Sequence, residues 1–292
     1  FIAGAAGHLL AAGGKRFRPL LTLLAAETGR GIDDDVVAAA AGVELTHLAS
    51  LYHDDVMDEA TVRRGVASVN AAYDNSTAIL VGDLLFGKAS ELVAGLGADA
   101  VRIQAQTFVR LCSGQIRDDR PCPPGTDPVE YYLGVLADKT GVLIATAARY
   151  GGMFSGADAD TVELLRAYGE KLGVAFQLAD DLIDITSTSG QTGKTPGTDL
   201  REGVDTLAVI YAKSSTSPDD AELRAALAAD LHDDAALQRA LEMLRASWAV
   251  ERARADTYAV SDEARALLAP LPDSDAKTAL ADLARSVVER VG

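Results

Sequence analysis

The chain of 292 residues carries 27 Lys+Arg against 43 Asp+Glu, a formal net charge of −16, with 48% hydrophobic and only 5% aromatic residues. Such a charge repels a polyanionic backbone or an anionic bilayer at long range, which excludes nucleic acid as a partner and obliges any anionic substrate to find a local basic pocket. Cys112 and Cys122 are too few to staple the chain or cage a metal, and the longest apolar candidate for a membrane span, residues 36–52, is interrupted by Glu44 and His47. A cytoplasmic location is expected. The chain opens on Phe1 and not on methionine, so a natural N-terminus further upstream is also expected.

Apolar residues, largely Ala, Leu and Val, recur at helical spacing, and alternating β-branched runs are scarce. The spacing predicts helices over 2–12, 19–29, 35–58, 66–73, 75–95, 98–118, 128–149, 158–187, 203–213, 219–229, 233–268 and 273–291. Clusters such as Arg120-Pro-Cys-Pro-Pro-Gly125 and Ser187-Thr-Ser-Gly-Gln-Thr-Gly193 punctuate them. Neither a low-complexity linker nor an internal repeat divides the chain. The expectation is an all-α fold in a single domain spanning 1–292.

Asp-Asp pairs begin at positions 33, 54, 118, 180, 219 and 233. Those at 33, 219 and 233 sit at predicted helix starts, where acidic groups favour the positive end of the helix dipole. Asp54-Asp55-Val-Met-Asp58 and Asp180-Asp181-Leu-Ile-Asp184 differ, because each follows an apolar helical run. Asp54 and Asp58, like Asp180 and Asp184, are i and i+4, about one 5.4 Å turn apart on one face, and like charges there destabilise the helix unless a cation lies between them. Mg²⁺ is the natural cation, because it takes one or two carboxylates and leaves positions for phosphate oxygens.

Cations gather beside these pairs. Gly13-Gly14-Lys15-Arg16-Phe17-Arg18-Pro19 places three basic residues next to two glycines, a composition that lets backbone and guanidinium approach an oxyanion together. Arg63-Arg64-Gly65 follows the first aspartate motif. Lys139-Thr140 and Lys194-Thr195 add two more cations, the second just past the second motif.

These stretches resemble the trans-prenyl diphosphate synthases, the head-to-tail polyprenyl synthetase family. The resemblance rests on Gly13 to Pro19, Leu51-Tyr-His-Asp-Asp-Val-Met-Asp-Glu-Ala60 with Arg63-Arg64-Gly65, Phe176-Gln-Leu-Ala-Asp-Asp-Leu-Ile-Asp184, and Gly193-Lys-Thr-Pro-Gly-Thr-Asp-Leu-Arg-Glu-Gly203. It implies long antiparallel helices around a central cavity, a homodimer and about three Mg²⁺ per site. It also implies head-to-tail condensation of isopentenyl diphosphate with an allylic diphosphate, with peripheral membrane contact for product release. Carried over residue by residue, Asp54, Asp58 and Asp180 are the metal ligands, and Asp55, Asp181 and Asp184 support them. Arg63, Lys139 with Thr140, and Lys194 match positions that hold the allylic diphosphate. Lys15, Arg18, His47 and Arg64 match those that hold isopentenyl diphosphate, and Phe176 and Gln177 those near the reacting alkenes. Where the family often carries a second lysine followed by Pro-Thr, this chain has Val204-Asp205-Thr206 after Gly203.

By the same resemblance, Ala49 and Ser50, five and four residues before Asp54, form the floor under the growing chain, where short-product members carry an aromatic. Both are small here, with Thr46, Gly42 and Ala39 further back, so about 22 Å of helix lies behind Asp54 at 1.5 Å per residue. A product of six to ten isoprene units is expected. Earlier closure of the tunnel by a neighbouring residue near Phe86 or Phe108 is the competing expectation. The alternative functions are a short-chain synthase, one subunit of a heteromeric synthase, and a class I terpene cyclase. The cyclase does not need the Gly13–Pro19 cation cluster, and a non-catalytic subunit usually lacks the aspartates.

Overall fold

A computed structural model describes residues 1–187 and 196–291, and it is helical almost throughout. In chain order the elements are α1 (Ile2–Ala11), α2 (Phe17–Ala26), α3 (Asp34–Met57), a small hairpin of β1 (Val62–Arg63) and β2 (Val66–Ala67), α4 (Val69–Ala72), α5 (Asn75–Ala94), α6 (Ala98–Asp118), α7 (Pro128–Leu136), α8 (Val142–Phe154) and α9 (Ala159–Thr186). They continue as α10 (Thr198–Arg201), α11 (Leu207–Ser214), α12 (Ala221–Leu227), α13 (Asp234–Arg245), α14 (Trp248–Leu267) and α15 (Asp275–Val288). The all-α expectation is met. The departures from the predicted elements are local, among them α10, which no predicted helix covers. The stretch read as a helix from residue 66 begins as the antiparallel hairpin, with Val62 opposite Ala67. The helix read over 128–149 contains a π-turn at Ala137–Gly141. The one read over 233–268 breaks at Ser247, whose backbone is extended.

Close contacts divide the chain into two compact units. One comprises Phe1–Arg110, Leu143–Gly169 and Leu271–Lys277, the other Leu111–Val142, Glu170–Pro270 and Thr278–Gly292. Each is drawn from three separate stretches, so neither is a contiguous module.

In the first unit α3 packs chiefly against α5. Asp33 starts α3 by accepting a 3.0 Å hydrogen bond from the Val36 amide, a cap worth about 1 kcal/mol, and Asp34 and Asp35 occupy the dipole-favoured first turn. The two helices approach closely because α3 presents Gly42 and α5 presents Gly82. A Cβ on Gly42 would come 2.9 Å from Val93, and one on Gly82 would meet the His53 ring at 2.4 Å. Leu48, Ala49, Tyr52, Val81 and Leu85 fill this seam. Burying Leu48 and Tyr52 contributes roughly 1.5–3 kcal/mol each. Tyr52 also donates its hydroxyl to the carbonyls of Ala5 and Ala6, fixing α1 to α3.

The second unit has its own core of Leu178, Leu182, Ile185, Leu207, Leu237, Leu241 and neighbours, within which α11 packs on α14. Among the described residues no helix is long and apolar enough to cross a membrane.

Candidate active site

The first aspartate motif lies at the C-terminal end of α3, and its three carboxylates have different surroundings. Asp54 is half-buried, Asp58 ends the helix with its side chain 56% exposed, and Asp55 is fully buried. Asp55 accepts a 2.6 Å hydrogen bond from Arg63 Nε at Oδ1, while its Oδ2 is buried without a partner. Burial pushes the Asp55 carboxyl upward in pKa against the pull of Arg63. Arg63 also lies 3.9 Å from Asp58, so it spans the motif from the hairpin. Asn70, in α4, donates to the carbonyls of Asp55 and Ala60 at 3.1 and 3.0 Å, tying the end of α3 to the stretch that enters the hairpin.

In the same unit the predicted cations gather around the turn before α2. Arg64 donates through Nη1 to the carbonyls of Leu9 and Gly13, at 3.0 and 2.6 Å. Its guanidinium fits because residue 14 is glycine: φ there is +131°, and a Cβ would stand 3.0 Å from Arg64 Cζ and Nη1. Arg16 and Arg64 both adopt left-handed backbone, at φ 48° and 54°, a conformation that costs about 1–3 kcal/mol for a non-glycine residue and concentrates at functional sites. Arg18 is half-buried, with a buried Nε that meets no partner, and burial lowers its pKa to about 10. His47 is held neutral: burial drives its pKa well below 6.5, and Arg18, Arg64, Arg63 and Arg16 push the same way. Lys15 is exposed on the turn. A neutral imidazole beside a half-buried guanidinium with a spare donor suits an anion rich in oxygen acceptors.

Ala49 and Ser50 differ in setting. Ala49 is fully buried in the α3–α5 seam, its carbonyl 3.3 Å from where a Gly82 Cβ would be, whereas Ser50 is half-open and donates its hydroxyl to the His47 carbonyl. Phe86 packs on that core, with its ring centroid 4.4 Å from Phe108 and 5.6 Å from His53.

In the second unit the π-turn carries Lys139 and Thr140. Lys139 pairs with Asp118 at 2.6 Å, and Arg117 pairs with Asp138 at 3.0 Å. Thr140 donates to Gln177 Oε1 at 3.3 Å, Gln177 donates to Asp181 Oδ1 at 3.0 Å, and the Tyr132 hydroxyl donates to Asp181 Oδ2. Burial pushes Asp181 up to about 7, against the lowering effect of the Tyr132 and Gln177 hydrogen bonds and with Asp199 and Asp180 adding to the rise. Asp184 accepts from the backbone amides of Thr198 and Asp199 at 3.3 and 3.1 Å, so it caps the turn that begins α10. Asp180 is the half-exposed member, paired with Arg290 at 2.9 Å, and the Arg290 guanidinium also lies 4.9 Å from the Phe176 ring centre. Lys194 lies outside the described residues.

Whether these residues suit Mg²⁺ can be tested on the donors. Among the described residues no three His, Cys, Asp or Glu side chains form a ready-made cage. Asp54 with Asp58, and Asp180, instead offer hard oxygen donors one or two at a time, and Asp55 carries a buried carboxylate oxygen with no partner. Taken within its own unit, each donor group fits an ion completed by substrate phosphate oxygens and water.

Sequence reasoning missed Asp118, Tyr132, Asn70, Arg290 and the partner of Arg16. The π-turn was unsignalled, and such turns are frequent at functional sites. For Asp118 a signal existed in its acidic pair, left unsorted at the end of a predicted helix.

The polyprenyl synthetase family model matches residues 1–244. The chain belongs to the polyprenyl synthetase family. Its match to a nonaprenyl diphosphate synthase of Mycobacterium tuberculosis is 51% identical over 286 residues, covering 98% of this chain and 85% of that protein. A geranylgeranyl pyrophosphate synthase of Corynebacterium glutamicum, solved with calcium and isoprenyl diphosphate, superposes with a TM-score of 0.88 at 47% identity, covering 100% of this chain and 90% of that one. A decaprenyl diphosphate synthase of Rhodobacter capsulatus gives 0.90 at 35% identity, with the same coverage. As a polyprenyl synthetase family member the chain is a prenyl-transferring enzyme, a prenyl diphosphate synthase.

Proposed function

We propose that this synthase adds isopentenyl diphosphate to an allylic diphosphate and makes an all-trans product of six to ten isoprene units. The observation that carries the two-diphosphate reading is the half-buried cluster of Arg18, His47 and Arg64, built in the same unit as the Asp54–Asp58 turn. A site that only ionises one allylic diphosphate has no use for a second cationic pocket.

In this reading Asp54, Asp58 and Asp180 hold Mg²⁺, about three ions per site, and Asp55, Asp181 and Asp184 fix the geometry around them. Bound Mg²⁺ would neutralise charge on the departing diphosphate. Arg63, Lys139 and Thr140 grip the allylic diphosphate, joined by Lys194, while Lys15, Arg18, His47 and Arg64 orient isopentenyl diphosphate. The allylic C–O bond breaks and the electron pair leaves with pyrophosphate. The alkene of isopentenyl diphosphate then forms the new C–C bond at the allylic carbon beside Phe176 and Gln177. A proton lost from the adduct to pyrophosphate restores the double bond. No side chain is needed as a dedicated base.

A long product is supported by the small, half-open Ser50 and by the 51% identical relative named for a nine-unit product. A shorter product is the second reading, favoured by the contact of Phe86 with Phe108 beside the core that holds Ala49. We further propose a homodimer. The apolar side chains of Leu80, on α5, and Val109, on α6, are 66% and 65% exposed, with Ile79, Leu84 and Val101 also exposed on these helices. A single functional domain over 1–292, a cytoplasmic location and transient membrane contact for release of the apolar product complete the proposal, the location being supported by two free thiols. Incubation with isopentenyl and farnesyl diphosphates and Mg²⁺, followed by chromatography of the dephosphorylated products, tests it. Products of six to ten units support it, and products ending at three or four units favour the shorter reading.

A further inference from the structure

One acidic side chain stands among the basic groups around the α1–α2 turn. Glu44, on α3, is buried and accepts a 3.1 Å hydrogen bond from Arg16 Nη1, while Arg16 Nη2 donates to the Leu10 carbonyl at 2.7 Å. Arg16 is therefore committed to the protein at both ends of its guanidinium, and it does so from left-handed backbone. The Glu44 charge also acts on the neighbours. It raises the affinity of Arg18 and of Arg64 for their protons, opposing burial and the mutual repulsion of the guanidinium groups. Glu44 interrupts an otherwise apolar stretch of α3, and a buried acidic residue persists only where it is paired.

We propose that Glu44 is a positioning residue for the second diphosphate, the internal counter-ion that keeps Arg16, Arg18 and Arg64 assembled while no anion is bound. This rests on the reading of that cluster as a diphosphate site. Two guanidinium groups and a strut held together without an anion repel one another, and a carboxylate placed among them offsets that repulsion. When diphosphate enters, it supplies the same service from the other side. Glu44 and the ligand are then partly redundant. Removing the carboxylate therefore weakens the empty protein more than the loaded one, and by linkage the variant binds the anion more tightly.

The test uses inorganic pyrophosphate in chelator-containing buffer, so that metal plays no part, with thermal unfolding and calorimetric titration as readouts. Glu44→Gln retains an oxygen able to accept from Arg16 and removes only the charge. It should lower the unfolding midpoint without pyrophosphate, recover more than half of that loss at saturating pyrophosphate, and bind pyrophosphate about three- to tenfold more tightly than the parent. The double variant Arg16→Gln/Glu44→Gln should recover midpoint in anion-free buffer, since one of the repelling cations is gone. A purely structural Glu44 would give the same loss with and without pyrophosphate, and that result, or weaker pyrophosphate binding by Glu44→Gln, overturns the proposal. Arg18→Ala separates the two layers. If it abolishes pyrophosphate stabilisation while Glu44→Gln behaves as the parent does, the diphosphate site stands and the counter-ion role falls. If pyrophosphate stabilises neither parent nor variants, both fall.

Discussion

Replacing Gly14 by alanine perturbs the cation cluster through the backbone. The residue sits at φ +131°, a region that costs an L-residue about 1–3 kcal/mol, and the new Cβ would stand 3.0 Å from Arg16 Nη1 and from Arg64 Cζ and Nη1. Moving Arg64 sacrifices at least one of its hydrogen bonds to the Leu9 and Gly13 carbonyls, each worth about 1.5–3 kcal/mol because the donor is charged. The sum is about 2.5–6 kcal/mol. Gly13 provides the matched control, with positive φ of +95° and nothing within 4 Å of a new Cβ, so its alanine variant carries the backbone cost alone. At about 2–3 °C per kcal/mol for a chain of this size, scanning calorimetry should show Gly14→Ala falling by about 5–18 °C and Gly13→Ala by several degrees less. Steady-state kinetics on the folded fraction should show the KM for isopentenyl diphosphate rising more in Gly14→Ala than in Gly13→Ala, with the allylic KM little changed. Equal stability losses and equal KM values in the two variants would refute the view that Gly14 exists to seat Arg64.

Other expected outcomes follow from individual contacts. Asp54→Ala should lower kcat by at least about 10³-fold and raise the Mg²⁺ concentration needed for half-maximal rate, the scale of a lost Lewis-acid contact; unchanged metal dependence argues against Asp54 as a ligand. The unfolded chain takes up a proton at His47 as pH falls through about 6.5 while the folded chain does not, so folding stability should decline below that pH by up to about 1.4 kcal/mol per unit. His47→Asn should flatten that slope in urea titrations at pH 7.5 and 5.5, and an unaltered slope contradicts a neutral His47. Ser50→Phe should shorten the product to three or four isoprene units with little loss of stability. Ala49→Phe, which overpacks a closed seam, should destabilise by about 1–3 kcal/mol or more, as read by denaturant unfolding. Long products from a folded Ser50→Phe enzyme would remove Ser50 from the tunnel.

The helices of this protein were legible because their apolar spacing and their caps are local, as with Asp33 at α3 and Asp233, whose side chain accepts from the Ala236 amide at α13. The aspartate motifs were legible for the same reason, since i and i+4 carboxylates declare their shared face. What stayed hidden depends on partners distant in sequence. Lys139 meets Asp118 across 21 positions, Arg16 meets Glu44 across 28, and Tyr132 meets Asp181 across 49. The stripe of Ala39, Gly42, Thr46 and Ala49 shows another limit. Small residues at helical spacing describe a tunnel wall and a close helix–helix seam equally well, and only the proximity of Gly82 and Val93 identifies the seam. Likewise, the three carboxylates of the second motif look equivalent in sequence. Tyr132 and Gln177 engage Asp181, backbone amides engage Asp184, and Asp180 pairs with Arg290.

The central claim is that two diphosphates are used together, one ionised and one retained. Pyrophosphate release from farnesyl diphosphate, measured with and without isopentenyl diphosphate at saturating Mg²⁺, tests it most directly. Release should require isopentenyl diphosphate and match the number of isoprene units added one for one. Rapid release from farnesyl diphosphate alone, accompanied by a hydrocarbon or alcohol lacking diphosphate, would contradict it.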